Sequence, residues 1–139
     1  MREAVRSLRG DAAVDLERVL APLAAGIERP AIHLAVPAAL ELADPERAQA
    51  LVRCVQEIIT NAIRHSGAEH LWIEVAQAGG RLEVVGRDDG RGARRLRFGQ
   101  GLTGMHERLA GLGGSLEVDS PPAGGFRVRA VIPPPEAEA

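Results

Sequence analysis

Residues 99–133 read GQGLTGMHERLAGLGGSLEVDSPPAGGFRVRAVIP, and this stretch decides the fold. Its first glycines, Gly99, Gly101 and Gly104, have the G-x-G-x-x-G spacing of a dinucleotide-binding turn. Such a turn needs a buried strand that leads into the first glycine and a second half-sheet after the helix. Residues 87–98 are instead polar and rich in arginine, and too few residues remain for another half-sheet. We therefore predict that these glycines serve the phosphates of a different ligand.

The same stretch contains the last elements of the fold. Apolar residues at helical spacing predict a helix over 102–112, and alternating apolar residues predict a strand over 115–119. Pro121-Pro122 marks a turn, and the alternating run GFRVRAVIP predicts a final strand over 125–133. A glycine-rich loop, a helix and two strands therefore follow one another at this end of the chain.

The upstream part of the chain begins with a helix and a strand. Apolar residues at helical spacing run from about residue 14 to Ile27, with Asp11 as a candidate N-cap and Pro22 as a residue that kinks or shortens the helix. The run AIHLAVP, residues 31–37, alternates over a strand length and stops at a proline. That pattern indicates an edge or terminal strand.

A long helix and a hairpin occupy the middle of the chain. The helix is predicted from Pro45, after Asp44, to Ser66-Gly67, because apolar residues form one stripe along it. Two alternating runs, 70–77 and 81–88, flank Gly79-Gly80 and predict a hairpin. We therefore predict an α/β fold, a two-layer sandwich in which three helices cover a mixed five-stranded sheet. The apolar stripe predicted for the long helix consists of Leu51, Val55, Ile58, Ile59, Ala62 and Ile63.

Composition restricts the class of protein. The 139 residues are 45% hydrophobic and 26% charged, which is typical of one globular domain, and no apolar run is long enough for a membrane span. A net charge of -2 gives no electrostatic case for binding nucleic acid or a membrane surface. A single cysteine, Cys54, excludes an intramolecular disulfide and a cysteine-built zinc site. The first residues lack the apolar core of a signal peptide, so we expect a cytoplasmic protein.

Three polar patterns carry candidate chemistry. Glu57, Asn61 and Arg64 are spaced so that their side chains stack on one side of the long helix. The sequence DDGRG, residues 88–92, follows a strand end directly, and Gly101 lies where a helix begins and free N–H groups favour phosphate. Each pattern also has a purely structural explanation. The helix residues could form a solvated face, DDGRG could be a simple turn, and Gly101 could merely begin a helix.

Together these patterns resemble a known family. QEIITNAIRHS (56–66), DDGRG and the stretch 99–133 resemble the N, G1 and G2 boxes of the GHKL ATP-binding superfamily, with histidine kinases of the nitrate-sensor type as the most similar group. The resemblance covers residues 11–133. It implies a catalytic domain that binds ATP and Mg²⁺ and supplies the γ-phosphoryl group to a histidine on a separate dimerisation domain, in two-component signalling that ends on a response regulator.

The resemblance also implies a role for individual residues. Asn61 would bind Mg²⁺ and, with Glu57 for proton handling, would form the catalytic pair. Arg64 would contact the phosphates, Asp88 would accept the adenine amino proton, and His65 would lie near the adenine ring. Glycines would open the adenine pocket and let a lid fold over the phosphates. The remaining ATP-binding positions are Gly90, Gly92, Gly99, Gly101, Leu102 and Gly104.

One position departs from the family pattern. The family usually has a threonine after the last Gly-Gly, close to Asp88, whereas this chain has Phe126. That change keeps open the alternative of a non-catalytic nucleotide-binding module. A free-standing anti-sigma-factor serine kinase of the same superfamily is the other alternative. We expect Trp72 to pack in the core, Phe98 in the lid and Cys54 in the core.

The boundaries and partners follow from the same resemblance. Residues 1–9 would be the tail of the dimerisation helix or a linker, 10–133 the ATPase domain and 134–139 a disordered tail. We expect an isolated domain that is monomeric, contacts no membrane or nucleic acid and does not phosphorylate itself. None of its four histidines suits the acceptor role. His33 and His70 lie in or beside predicted strands, and His65 belongs to the nucleotide pocket. His106 would have difficulty reaching in-line geometry with the γ-phosphorus of its own ATP.

Overall fold

The computed structural model describes residues 14–38, 40–91, 100–121 and 124–135. A five-stranded mixed sheet has the strand order β2-β4-β5-β7-β6, and three helices pack on one of its faces. This is the predicted sandwich. In chain order the elements are β1 Val14–Asp15, α1 Leu16–Ala24, β2 Ala31–Ala35, β3 Glu41–Leu42, α2 Pro45–Asn61, a π-helical segment Ala62–Ser66, β4 His70–Ala78, β5 Arg81–Asp88, α3 Gln100–Gly111, β6 Ser115–Asp119 and β7 Phe126–Ile132.

The long helix begins where its caps predict. The carboxylate of Asp44 accepts a hydrogen bond of 3.0 Å from the backbone N–H of Glu46, and Pro45 occupies the first helical position. The helix continues through Asn61 into the π-helical segment. Gly67, in the left-handed region with φ 63°, ends it.

The π-helical segment overturns one core prediction. Ile63 belongs to the predicted apolar stripe, yet its side chain is 49% exposed. A π turn contains one more residue than an α turn, so the residues that follow Asn61 are rotated relative to the α-helical face. Ala62 is buried and Ile63 is turned outward.

The first helix is shorter than predicted. It begins at Leu16 with Asp15 as its N-cap, while the expected cap, Asp11, lies outside the described residues. It ends at Ala24, and the N–H of the next residue bonds to the carbonyl of Pro22 over 3.2 Å, so the proline marks the last turn. Just before this helix, β1 pairs with β3, a two-residue contact that the sequence pattern does not predict.

The sheet has the predicted hairpin and edge. β4 and β5 are antiparallel and joined at Gly79 and Gly80, which both have positive φ. β2 lies at one edge and runs parallel to β4, consistent with the proline that follows it. α3 begins at Gln100, two residues before the predicted start.

One glycine sets the distance between the long helix and the sheet. A Cβ on Gly86, in the central strand β5, would lie 2.5 Å from Cγ2 of Ile58. The absent side chain therefore lets α2 pack directly on the sheet. The largest fully buried side chains of the core are Leu16, Leu20, Leu51, Cys54, Val55, Leu71, Ile73, Leu82, Val84, Met105, Leu109 and Ile132.

Two further predictions on single residues have opposite outcomes. Cys54 is fully buried, as expected, and burial raises the pKa of its thiol to about 12. Trp72 is not in the core: its neighbours Leu71 and Ile73 point inward, so it lies on the opposite face of the sheet. Phe98 lies outside the described residues. None of the helices in the described part of the chain is long and apolar enough to cross a membrane.

Candidate functional site

The polar face of α2 carries an unsatisfied amide. Glu57 and Asn61 stand one turn apart, and both are partly buried. The Nδ2 atom of Asn61 is buried and has no hydrogen-bond partner among the described residues. A buried polar atom without a partner costs about 1–3 kcal/mol. Within the described part of the chain, this atom therefore adds no hydrogen bond to the stability of the fold.

The start of α3 packs against this face. A Cβ on Gly101 would overlap Oε1 of Glu57, so a larger residue here would have to displace the Glu57 carboxylate from its place beside α3. The Glu57 carboxylate also lies 3.9 Å from Nε of Arg53. The first turn of α3 thereby lies beside the turn of α2 that leads to Asn61.

Leu102 and Gly104 occupy different positions in the same helix. The side chain of Leu102 is only 3% exposed and belongs to the core, so a ligand could contact this residue through its backbone alone. Gly104 is exposed, and a Cβ there would meet nothing within 4 Å. Of the two helix glycines, Gly101 is therefore the one that packing requires.

A buried carboxylate lies at the end of β5. Asp88 is 5% exposed, and its Oδ1 accepts a hydrogen bond of 2.8 Å from the N–H of Gly90. Burial raises the pKa of Asp88, and the adjacent Asp89 raises it further, whereas the Gly90 N–H opposes the shift. The carboxylate is thus fixed in direction at the boundary between the core and the following loop.

The Gly-Gly turn before β7 packs against the backbone of Asp88 and Gly90. The N–H of Gly125 donates to the carbonyl of Gly90 over 2.9 Å. Gly125 has φ 89°, and a Cβ on it would lie 2.8 Å from the backbone oxygen of Asp88. Both the dihedral angle and the close approach require glycine. Phe126 is the register partner of Asp88 and packs against the core, so an aromatic ring stands where the family usually has a hydroxyl.

Two residues of this region escaped the sequence analysis. Oδ1 of Asp89 accepts hydrogen bonds from the N–H groups of Glu69 (3.0 Å) and His70 (2.9 Å), and these bonds lower its pKa. Arg91 lies beside Gly67, because a Cβ there would be 3.6 Å from its Nε. Asp89 therefore joins the end of β5 to the start of β4, and Arg91 lies beside the glycine that ends the long helix. The only sequence signal was their place in DDGRG.

The structure thus brings the predicted residues together in two groups. Glu57 and Asn61 meet the start of α3 on one side, and Asp88 and Gly90 meet the Gly-Gly turn on the other. Arg64 is exposed in the π-helical segment, which also includes the backbone of His65. Gly92 and Gly99 lie outside the described residues. Within the described ranges, no three histidine, cysteine or acidic side chains cluster as metal ligands.

Comparison with known proteins gives consistent similarities. Residues 46–136 match the model of the family described as histidine kinase-, DNA gyrase B-, and HSP90-like ATPase. Two Bacillus subtilis relatives are sensor histidine kinase YvfT, 46% identical over 66 residues (47% of this chain, 18% of the relative), and sensor histidine kinase YxjM, 33% identical over 109 residues (76% and 27%). The chain therefore spans about a fifth to a quarter of the length of these relatives.

Solved structures share the fold. The histidine kinase domain of the Erythrobacter litoralis EL346 blue-light activated histidine kinase is 25% identical, with a TM-score of 0.68, over 85% of this chain and 58% of that one. The histidine kinase domain of the E. coli osmosensor EnvZ is 25% identical, with a TM-score of 0.64, over 91% of both chains. The predicted sandwich is confirmed by these similarities.

Proposed function

This chain belongs to the family of histidine kinase-, DNA gyrase B- and HSP90-like ATPases, and we propose that it is the ATP-binding catalytic domain of a sensor histidine kinase. It binds Mg-ATP and holds the γ-phosphoryl group toward a histidine on a separate dimerisation domain, from which a response regulator is phosphorylated. The buried, unpartnered amide of Asn61 beside the first turn of α3 is the observation that supports this best. The sensor histidine kinases among its relatives do not favour the anti-sigma-factor alternative.

Asp88 is proposed as the residue that selects adenine. Its carboxylate is oriented by the Gly90 N–H, and Asp88 is only 5% exposed, so an amino group that donates to this carboxylate leaves water at the same time. Guanine has a carbonyl oxygen at that position of the ring, and this oxygen would leave the carboxylate unpaired. Such a mismatch costs about 1–3 kcal/mol, which is enough to discriminate ATP from GTP.

Asn61 is proposed as the magnesium ligand of the protein. The residues present fit an ion that is held mainly by phosphate oxygens, because the Asn61 amide has no competing bond at Nδ2 and a half-turn of its terminal torsion exchanges oxygen and nitrogen. When bound, Mg²⁺ would neutralise charge on the phosphates. Glu57, one turn away and fixed against Gly101, holds or accepts a proton at its carboxylate.

The phosphates themselves are proposed to lie at the start of α3. N–H groups in the first turn of a helix attract anions, and Gly101 brings that turn next to α2. The exposed Arg64 is the cation on the α2 side, and His65 would flank the adenine ring. Gly92 remains a predicted position of the adenine pocket, and Gly99 and Gly104 remain predicted lid positions. We propose a cytoplasmic domain that is monomeric in isolation.

Titration with ATP, with and without Mg²⁺, tests the proposal. The unmutated chain should bind ATP more tightly with Mg²⁺, and Asn61→Ala should lose that increment because the ion keeps only phosphate and water. Gln49→Ala, at an exposed position of the same helix, is the matched control and should keep it. An unchanged Mg²⁺ increment in Asn61→Ala would contradict the metal assignment.

Incubation with γ-labelled ATP tests whether the histidine that accepts the phosphoryl group lies on a separate domain. The isolated chain should acquire no acid-labile label, whereas added dimerisation domain should become phosphorylated on histidine. Stoichiometric label on the isolated chain that disappears in His106→Gln would show that the acceptor lies within this chain, and would overturn the proposed partner.

A further inference from the structure

Three rings form a cluster on the face of the sheet that the helices leave uncovered. His33 is the register partner of Trp72 on the neighbouring parallel strand, and His70 lies two residues before Trp72 on the same side. The ring centroids are 5.2–5.6 Å apart, and the planes lie within 24° of parallel. We call this set the outer-face ring cluster. Neither the fold nor the proposed nucleotide site uses it.

The two imidazoles of the cluster approach each other through nitrogen. Nε2 of His33 and Nδ1 of His70 are 3.0 Å apart, and His33 is exposed on the edge strand. For a metal ion about 2.05 Å from each nitrogen, an ordinary metal–imidazole bond length, the nitrogen–metal–nitrogen angle would be about 94°. That angle matches cis ligands in a square or octahedral site and is narrower than the tetrahedral angle.

We propose that His33 and His70 form a two-histidine site for a divalent transition-metal ion of the Cu(II) or Ni(II) class, with water in the other coordination positions. Imidazole and tetragonal geometry are the preferences of these ions. One of the two facing nitrogens carries the proton of the hydrogen bond between the rings. For both to bind a metal, that ring changes to the tautomer with its proton on the other nitrogen, so the metal replaces the hydrogen bond and no proton is released overall.

The charges around the cluster are consistent with a bound cation. The carboxylate of Asp89 accepts a hydrogen bond of 2.9 Å from the backbone N–H of His70, so an acidic group lies next to this histidine. Arg87 is the opposing charge: its guanidinium carbon lies 4.5 Å from the Trp72 ring centroid. Arg87 belongs to β5, which lies on the other side of β4 from His33, so its charge is farther from the edge strand than Trp72 is.

The site is independent of the proposed nucleotide site. Residues that alternate with Trp72, namely Leu71 and Ile73, point into the core beneath the helices. The outer-face ring cluster therefore projects to the opposite side of the sheet from Asn61. Loss of one site leaves the ligands of the other in place, so the two proposals can fail separately.

Trp72 supplies the assay, since it is the only tryptophan and the chain has no tyrosine. The untagged 139-residue chain is titrated with Ni²⁺ at pH 7.5 while tryptophan emission is followed. We expect saturable quenching with one ion per chain. His33→Gln and His70→Gln should each weaken the apparent affinity at least about tenfold, because one imidazole alone is not a chelate. His106→Gln is the matched control and should titrate like the unmutated chain.

Calorimetry on Trp72→Phe separates binding from quenching. This variant keeps both histidines and should still bind one Ni²⁺, although it has no tryptophan signal. Zn²⁺ should bind more weakly than Ni²⁺ because the nitrogen pair is too close for tetrahedral geometry. If His70→Gln does not fold, as judged by circular dichroism, His33→Gln on the exposed edge strand decides the matter. Unchanged Ni²⁺ affinity in His33→Gln, an equal loss in His106→Gln, or tighter Zn²⁺ binding would overturn the proposal.

Discussion

Replacing Gly101 by alanine should cost stability even though the glycine lies in a helix. In a helix interior, alanine is favoured over glycine by about 0.5–1 kcal/mol. At Gly104, where a Cβ meets nothing within 4 Å, that gain should be realised in full. At Gly101 the same Cβ overlaps the Glu57 carboxylate, whose side chain is only 18% exposed. Moving a packed side chain in this way costs about 1–3 kcal/mol.

The two alanine variants should therefore differ by about 1–3 kcal/mol in their free energy of unfolding. For a domain of this size, each kcal/mol corresponds to roughly 4 °C in Tm, so the difference is easily measured by circular dichroism on thermal or urea unfolding. Gly104→Ala should be slightly more stable than the unmutated chain and Gly101→Ala less stable than Gly104→Ala.

A double-mutant cycle identifies the cause. In a Glu57→Ala background the obstructing carboxylate is absent, so Gly101→Ala should become as favourable as Gly104→Ala. The coupling between positions 57 and 101 should then be at least about 1 kcal/mol. If Gly101→Ala is as stabilising as Gly104→Ala with Glu57 present, the contact between α2 and α3 described above is refuted.

Two further predictions concern buried groups. Because burial raises the pKa of Asp88, the folded state binds its proton more tightly than the unfolded chain, and the cost of its charge disappears as the pH falls through that pKa. Asp88→Asn should therefore be more stable than the unmutated chain at pH 7, and the difference in the free energy of unfolding should shrink toward about pH 4. Urea unfolding of both chains at several pH values measures this difference. A difference that does not change with pH would count against the prediction. The thiol of Cys54, whose pKa is raised to about 12, should resist maleimide at pH 8 until urea unfolds the chain. Labelling of the folded chain at the rate of a free thiol would contradict its burial.

Local signals explain which parts of the fold the sequence predicts. The start of α2 follows from Asp44 and Pro45, and the β4–β5 hairpin follows from its two glycines, because caps and turns depend on neighbouring residues. The pairing of β1 with β3 depends on contacts between distant residues and has no local signature. Trp72 is a different case, since the alternation of its own strand already places it opposite Leu71 and Ile73.

The candidate site divides in the same way. Asn61 and Asp88 were found because each lies in a recognisable short motif. The contact between Glu57 and Gly101, and the bonds that Asp89 accepts from the loop before β4, join segments that are far apart in the chain. Their partners follow from the packing of α3 on α2 and of that loop on β5, which the motifs do not encode.

The π-helical segment makes the number of residues between Asn61 and Gly67 a constraint in its own right. Deleting one residue there would restore the α-helical repeat and rotate everything downstream by about 100° relative to α2. The left-handed turn at Gly67 would then enter β4 out of register, and the odd and even residues of that strand would exchange faces. Substitutions in this segment should therefore be tolerated far better than insertions or deletions, and the outward-turned Ile63 is the position where a polar residue would cost least.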